Sequence, residues 1–441
     1  MDTNNTILPR LLATALLILT GLFASQAAQA LPSFARQTGM PCTSCHTQAF
    51  GPNLNSYGRS FKLNGYTWGG NDSVLSRFGG MAMASISNTK KNNDEIPNDT
   101  ANANRGFNPN NNVALDQASL FYGGKVFGKM GAFVQFTYDG VASRFALDNT
   151  DIRIADDADW LNQNFVYGVS FNNGPTIQDI WNTTSAWSFP YASSPFGADA
   201  YVGPYFNGPA IDGVAGQLGG ATLYTMINDT FFLEAGAYSS FAKYVQKGMG
   251  QWSPGGTVKV NGGAPYWRIG LQQEWKGHYV SLGHFGFRTD IQPDPSAPAT
   301  DRYTDLGVDF NYQYLANPLH IYELKANYTR EQQQLLAYYN QDMESGAQRI
   351  NQQLGFFGLN GTYTYDQTYG ITAGFNHIYG NRDSVVYSAS PTNKPNSEYF
   401  TLELDYVPFG KKAATTDSYL NLKFAAQYVA YTRLNGAEKK L

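Results

Sequence analysis

Cysteine is almost missing from this chain: there are two in 441 residues, at positions 42 and 45. A small disulfide-stapled scaffold is therefore excluded. Charge is sparse, at 15% of residues with a net charge of -4, and nothing in that balance points to nucleic acid as a partner. Beyond the N-terminal thirty residues no run of eighteen apolar residues exists. With a mean hydropathy of -0.36, membrane-spanning helices are excluded as well. What the chain has in quantity is Tyr (30) and Gly (45), with Asn and Gln throughout. Rich in these and poor in charge and cysteine, an exported chain fits an outer-membrane β-barrel.

Export is legible in residues 1–30. Arg10 gives a weakly basic start, Leu11 to Ala24 form an apolar run too short to span as a helix, and Ala28-Gln29-Ala30 is a small-x-small cleavage site. That is the pattern of a secretory signal peptide cut after Ala30, leaving about 411 residues. A short membrane anchor is the competing reading, and the length of the run argues against it.

The two cysteines belong to "CTSCH", residues 42–46. C-x-x-C-H attaches a c-type haem. Each thiol adds to one porphyrin vinyl group, and the next histidine is held under the iron as its axial ligand. Cys42 and Cys45 would make the thioethers and His46 the axial bond, with one covalently attached haem c as cofactor. A redox disulfide would want a thioredoxin-like βαβ context, which is absent. A zinc site would want two more ligands nearby, and the next histidine is His278. The haem segment is assigned to residues 31–76.

From residue 77 onward, segments of ten to fifteen residues alternate polar and apolar, the period of strands. In "HIYELKANYTRE", Ile321, Glu323, Lys325, Asn327 and Thr329 share one face, against Tyr322, Leu324, Ala326 and Tyr328. Asp305, Asp309, Asn311 and Gln313 oppose Leu306, Val308, Phe310 and Tyr312. Arg268, Gln272, Glu274 and Lys276 oppose Trp267, Ile269, Leu271 and Trp275, and Thr401, Glu403 and Asp405 oppose Phe400, Leu402 and Leu404. Candidate strands fall at 78–89, 113–127, 129–140, 146–156, 163–172, 214–227, 230–242, 264–276, 278–291, 301–316, 320–333, 350–366, 368–381, 397–409 and 418–434. Short links follow the even-numbered strands and long Asn- and Pro-rich ones follow most odd-numbered ones. A membrane barrel has this rule, with short periplasmic turns and long external loops, and a soluble sandwich does not. The haem segment then begins at the periplasmic mouth or folds up inside the barrel. Fifteen strands is an odd count where bacterial barrels are even, so one closing strand is expected to be missing after "TRLNGAEKKL".

The second axial ligand has no obvious histidine. Met81 and Met83 share a strand face with Arg77, Gly79, Ser85 and Ser87, opposite Phe78, Ala82, Ala84 and Ile86. Either thioether is a candidate sixth ligand. The plainer reading is that they pad the lumen beside something apolar. His320 and His377 fall on apolar faces and read as interfacial, whereas His278 and His284 are ambiguous. Arg59 and Lys62 are candidates to pair with haem propionates, or equally are solvated surface charges. Asp305, Asp309, Glu403 and Asp405 are candidates to attract a cation, or are ordinary polar lining.

Three stretches carry a family resemblance: "PSFARQTGMPCTSCHTQAFGPNLNSYGRSFKLNGYTW" (32–68), "FALDNTDIRIAD" (145–156) and "NNGPTIQDIWNTTSAWSFPYASS" (172–194). They resemble the outer-membrane monohaem cytochrome–porin fusions of acidophilic and neutrophilic iron oxidisers, over the whole exported chain. The resemblance implies an all-β, sixteen-stranded porin plugged by a small c-type haem segment, with Cys42, Cys45 and His46 holding the haem. It implies a ferrous-iron oxidase or electron-transfer cytochrome in the outer membrane, taking electrons from extracellular Fe(II) and passing them to a periplasmic c-type cytochrome. The competing functions are a haem-containing porin for transport and electron uptake from a non-iron donor.

Overall fold

The structure is a computed structural model. It describes residues 32–438 apart from 71–72, 91–107, 195, 198–199, 201–212, 252–257, 294–297, 341–346, 389 and 412–420. The signal-peptide reading of residues 1–30 lies outside the described residues.

The strands are β1 Phe78–Ser87, β2 Asn112–Phe127, β3 Met130–Asp139, β4 Arg144–Trp160, β5 Gln163–Asn172, β6 Leu218–Ile227, β7 Phe231–Ser240 and β8 Ala264–Trp275. They continue with β9 His278–Ile291, β10 Asp301–Tyr314, β11 His320–Leu335, β12 Asn351–Tyr365, β13 Tyr369–Gly380, β14 Ser397–Tyr406, β15 Phe424–Leu434 and β16 Ala437–Glu438. Each pairs antiparallel with its sequence neighbour in one sheet of 16 strands. Among the described residues no ladder joins β1 to β16, so the sheet is not closed.

The count of fifteen needs correction. The chain turns at Asn435-Gly436, with φ of 49° and 78°, and a two-residue strand pairs back on β15. Tight turns of this kind, with both central residues at positive φ, suit the twist of a hairpin. The same geometry closes β4–β5 at Leu161-Asn162, β6–β7 at Asn228-Asp229, β8–β9 at Lys276-Gly277 and β12–β13 at Asp366-Gln367. β4 also outruns its expected end at 156, because Asp157, Ala158, Asp159 and Trp160 stay paired with β5 down to the turn. Ladder pairing, rather than composition, sets where this strand ends.

The two faces of the sheet are inverted relative to a soluble protein. On β10, Asp305, Asp309, Asn311 and Gln313 are fully buried, while Leu306 and Val308 are exposed at 41% and 47%. On β11, Glu323, Lys325, Asn327 and Thr329 are buried and Tyr322 and Leu324 exposed; on β14, Thr401, Glu403 and Asp405 are buried and Phe400, Leu402 and Leu404 exposed. A sheet that turns its apolar side outward needs lipid on that side.

Aromatic rings mark where that band ends. At the short-turn end the outward rings run Trp275–His278 (5.6 Å), His278–Tyr314 (5.1 Å), Tyr322–Tyr363 (5.0 Å), His320–Tyr365 (5.3 Å) and Tyr369–Tyr406 (5.4 Å). At the long-loop end the hydroxyls of Tyr328 and Tyr379 meet at 2.7 Å, and His377 lies beside Tyr379 and 3.3 Å from Glu398. Such girdles sit at the two membrane–water interfaces. Tyr369 and Tyr379 stand on one strand, about ten residues apart. At ~3.4 Å per residue and ~40° of tilt, that is about 25 Å, the height of the apolar band of such barrels. His278 and His320 thus stand in the lower girdle, and His284 packs under Trp267 with its Nε2 3.4 Å from the indole Nε1.

Leu324 faces outward near mid-height. Leu324→Arg should cost about 2–4 kcal/mol for the protein folded in a bilayer, while Leu324→Ile should change little. Urea titration of both variants in phosphatidylcholine vesicles measures the difference.

Candidate functional site

The N-terminal segment sits on the inner side of the sheet. Helix α1 (Pro32–Thr38) lies on β2, where Gly123 and Gly124 make room for it. A Cβ on Gly123 would stand 2.9 Å from Ser33 Oγ, and Gly124, at φ 144°, would drive one into Gln37 Oε1. Gln37 Oε1 accepts from the Lys125 amide at 2.8 Å, and its Nε2 donates to the carbonyls of Tyr66 (2.8 Å) and Trp68 (2.7 Å). Helix α2 (Ser56–Leu63) is capped by Asn55, whose Oδ1 accepts from Gly58 N at 3.1 Å. Gly58 cannot carry a side chain, because its Cβ would fall 2.2 Å from the Cys45 carbonyl oxygen. α2 is thereby seated directly against the cysteine–histidine motif.

The motif itself is a tight turn. Cys42–Ser44 form one 3₁₀ turn, and the amides of Cys45 (3.1 Å) and His46 (3.0 Å) both donate to the Cys42 carbonyl. A return strand closes it: His46 bridges Leu54, Thr47 N donates to Asn53 O at 3.1 Å, and Asn55 N to Cys45 O at 2.9 Å. Both thiols are free and only partly buried. Burial pushes the Cys42 thiol up and that of Cys45 to about 12, the latter helped by its neighbour's charge. Both stay protonated at neutral pH. Burial lowers His46 to about 4, against the smaller opposing pull of the Asn53 and Gly51 carbonyls. Its Nδ1 is buried and makes no well-aligned hydrogen bond. A neutral imidazole is the form that ligates a metal. Two unpaired thiols and a neutral imidazole clamped on one turn fit a covalently attached haem. Among the described residues no group of three or more His, Cys, Asp or Glu converges to hold a bare metal ion.

The wall grips this segment from many strands. Thr47 donates to Glu323 Oε2 at 3.1 Å, Lys325 Nζ to Asn53 Oδ1 at 2.7 Å, Gln313 Nε2 to Leu54 O at 2.9 Å and Asn421 to Ala49 O at 2.7 Å. The Tyr224 hydroxyl donates to Leu63 O at 2.7 Å and that of Tyr66 to Asp151 Oδ2 at 2.6 Å. Glu323, Gln313 and the Asp366-Gln367 turn lie at the short-turn end, so the motif occupies that mouth, inside the sheet. The segment begins at that mouth and fills the interior there.

Arg59 and Lys62 are not solvated surface charges. Arg59 is buried, donates to Leu54 O (2.7 Å), Gln313 Oε1 (3.0 Å) and Ser56 Oγ (2.9 Å), and lies 3.4 Å over the Tyr279 ring. Lys62 Nζ donates to Ile177 O (2.9 Å), Asp179 O (2.7 Å) and Asn182 Oδ1 (3.0 Å). These last three belong to the long β5–β6 link, which folds inward over the segment instead of standing clear of the wall.

Two buried arginines fix that inward loop. Arg268 reaches Asp309 at 2.9 Å and Asp179 at 3.3 Å. Asp179 also accepts from the amides of Trp181 (3.0 Å), Thr183 (2.9 Å) and Thr184 (3.1 Å), closing the loop's turn. Arg153 binds Asp151 at 2.8 Å and the Gln178 carbonyl. The residues 172–184, 145–156 and 32–68 therefore meet in one place, through Lys62, Tyr66, Asp151, Arg153 and Gln178. Asp309 is committed to Arg268, and Glu403 and Asp405 to Lys423 at 2.8 Å and 2.9 Å. Asp305 is fully buried. None of the four stands as an open cation lure.

Met81 and Met83 lie on the inner face of β1 and are partly accessible. The inner faces of β10 and β11 are closed by the segment and the loop. The same loop reaches β1, where the Ser85 hydroxyl meets Ser194 Oγ at 3.0 Å.

Sequence reasoning missed Arg153, Asp151, Arg268, Asp179 and Lys325 as site-builders. One signal was available: Asp151 and Arg153 stand two apart, on one strand face, inside a stretch already singled out.

No family model and no curated protein matches this chain. Similar solved structures include Salmonella typhi OmpF in complex with daunomycin, at 12% identity over 80% of this chain and 96% of that one, TM-score 0.42. The outer-membrane channel DcaP of Acinetobacter baumannii is 11% identical over 82% and 93%, TM-score 0.42. The anion-selective porin from Comamonas acidovorans is 12% identical over 75% and 82%, TM-score 0.40. At these values the fold and the site stand on the chain's own strands and side chains.

Removing Arg268 leaves two carboxylates buried without their cation. Arg268→Met should destabilise by about 3–5 kcal/mol, and single-channel recording in planar bilayers should show pore openings that the parent protein lacks.

Burial, then repulsion from Arg153, lowers the Lys62 amine from 10.5 to about 7. Between those values the folded chain binds fewer protons than the unfolded one, so stability rises with pH across this window and is flat below it. Melting temperatures at pH 6, 8 and 9.5 should climb more in the parent than in Lys62→Met.

Proposed function

We propose that this chain is an outer-membrane electron conduit: a β-barrel plugged by a segment bearing one c-type haem on Cys42, Cys45 and His46. It takes electrons from extracellular Fe(II) and passes them to a periplasmic c-type cytochrome. The observation that carries the proposal is the motif's position. Cys42-Thr43-Ser44-Cys45-His46 lies inside the sheet at the short-turn mouth: Gly58 of α2 packs against its Cys45 carbonyl, and Gln313 of β10 and Glu323 of β11 bind Leu54 and Thr47 beside it. Short turns face the periplasm in such barrels.

The haem would supply a single reversible electron, the stoichiometry of Fe(II) to Fe(III). The rest falls to the chain. Cys42 and Cys45 would hold the group covalently and His46, its ring kept neutral by burial, would ligate it. Met81 and Met83, on the inner face of β1, would be the candidates for a second ligand. The inward loop and the segment, locked by Lys62, Arg153 and Arg268, close the passage to solutes. The metal thus stays outside and only charge crosses.

The test is anaerobic stopped flow on the oxidised holoprotein, following the haem α-band after mixing with Fe(II). Rapid reduction that saturates with Fe(II), and is lost with the covalent haem in Cys42→Ala/Cys45→Ala, is the expected result. A haem reduced by dithionite but not by Fe(II) would overturn the iron reading and leave a different electron donor. A haem-containing porin for transport would instead conduct ions in planar bilayers.

A further inference from the structure

We infer that the outer face of β9–β11 carries a binding site for the phosphate of an outer-leaflet glycolipid. The inference rests on the membrane reading above but not on the haem. Three arginines face outward on these three adjacent strands: Arg288, Arg302 and Arg330. They surround one residue, Thr304. Arg288 on β9 and Gln332 on β11 stand directly across from Thr304, Arg330 pairs with Leu306 one step along the same face, and Arg302 precedes Thr304 on it.

Their height is set by the girdle below. His278 and Arg288 are about ten residues apart on β9, Tyr312 and Arg302 likewise on β10, and His320 and Arg330 on β11. That is the separation of Tyr369 from Tyr379 on β13, about 25 Å of barrel height. The three guanidiniums therefore start where the apolar band ends, at headgroup depth. By strand spacing and rise, the Cα atoms of Arg288 and Arg330 are about 12 Å apart, within reach of one anion between them.

The charges are not consumed by the protein. Arg288 is exposed and has no partner among the described residues. Arg330 gives one nitrogen to Gln353 Oε1 at 3.0 Å and is otherwise exposed. Arg302 is held by Asp290 through two bonds, at 2.6 Å and 3.1 Å; among the described residues that is the one nearby acid on this face, against three arginines. Gln332, Gln334 and Gln353 add neutral donors around it, all exposed. Guanidinium forks suit the paired oxygens of phosphate, as they do those of a carboxylate. At the other end of these strands the outward positions are His278, Tyr312, Tyr314 and His320, with Lys276 in the adjoining turn, so the arginines gather at the long-loop, external end. Phosphorylated glycolipid is the anion that an external headgroup layer presents to it.

The test uses the full-length holoprotein in detergent, with native mass spectrometry after adding bis-phosphorylated lipid A or the same lipid stripped of phosphate. The parent should retain the phosphorylated form at least tenfold better, and Arg288→Gln/Arg330→Gln should lose that preference. Heat-dependent gel mobility reports that the variant is folded. A folded variant with unchanged retention, or a parent that does not distinguish the two lipids, overturns the inference alone. A parent that fails to insert into bilayers overturns the membrane reading and the inference together.

Discussion

Everything inside this sheet depends on supplying oxygen atoms to buried cations. Lys62, Arg59, Arg153, Arg268 and Lys325 all lie within the interior, cut off from water. Leaving any of them unpaired would cost several kcal/mol. Their acceptors come from three places: carboxylates on the wall, carbonyls of the inward loop and carbonyls of the N-terminal segment. No two of these three suffice. The loop folds inward because its carbonyls at 177, 178 and 179 have cations to meet, and the segment is held because its own Lys62 needs the loop.

That dependence explains which parts of the chain could be read in advance and which could not. The strands were legible because one side of each faces lipid and the other faces polar groups, so hydropathy alternates residue by residue. β10, β11 and β14 follow that pattern along their length. The pattern failed where composition and pairing disagree, as at Asp157 and Asp159 on β4, and where a strand is too short to have a period, as in β16. The alternation of link lengths gave the orientation, yet it could not show that the longest described link turns inward.

The motif was legible for a different reason. Cys42, Cys45 and His46 declare their chemistry by identity and spacing alone, and the geometry adds a turn and a neutral imidazole to them. The charges nearby were not legible. Arg59 and Lys62 look like any amphipathic helix's solvent side until β8–β11 and the loop are set around them. Long-range contacts leave no local signature: Lys62 meets Asp179 across more than a hundred residues. The same holds for the outward arginines, whose grouping around Thr304 is a property of register.

Ala49 is held by Asn421 and Thr47 by Gln367, partners separated by 372 and 320 positions. The front of the chain is thus clasped by residues far along it, and neither partner can take its final shape alone. Glu323, Gln367 and Asn421 can close on the segment only when the strands that carry or flank them have paired, and the cations those strands turn inward have few oxygens to meet until the segment is in place. Segment and wall therefore settle together, so that damage to either is felt in the other at a distance of hundreds of residues along the chain.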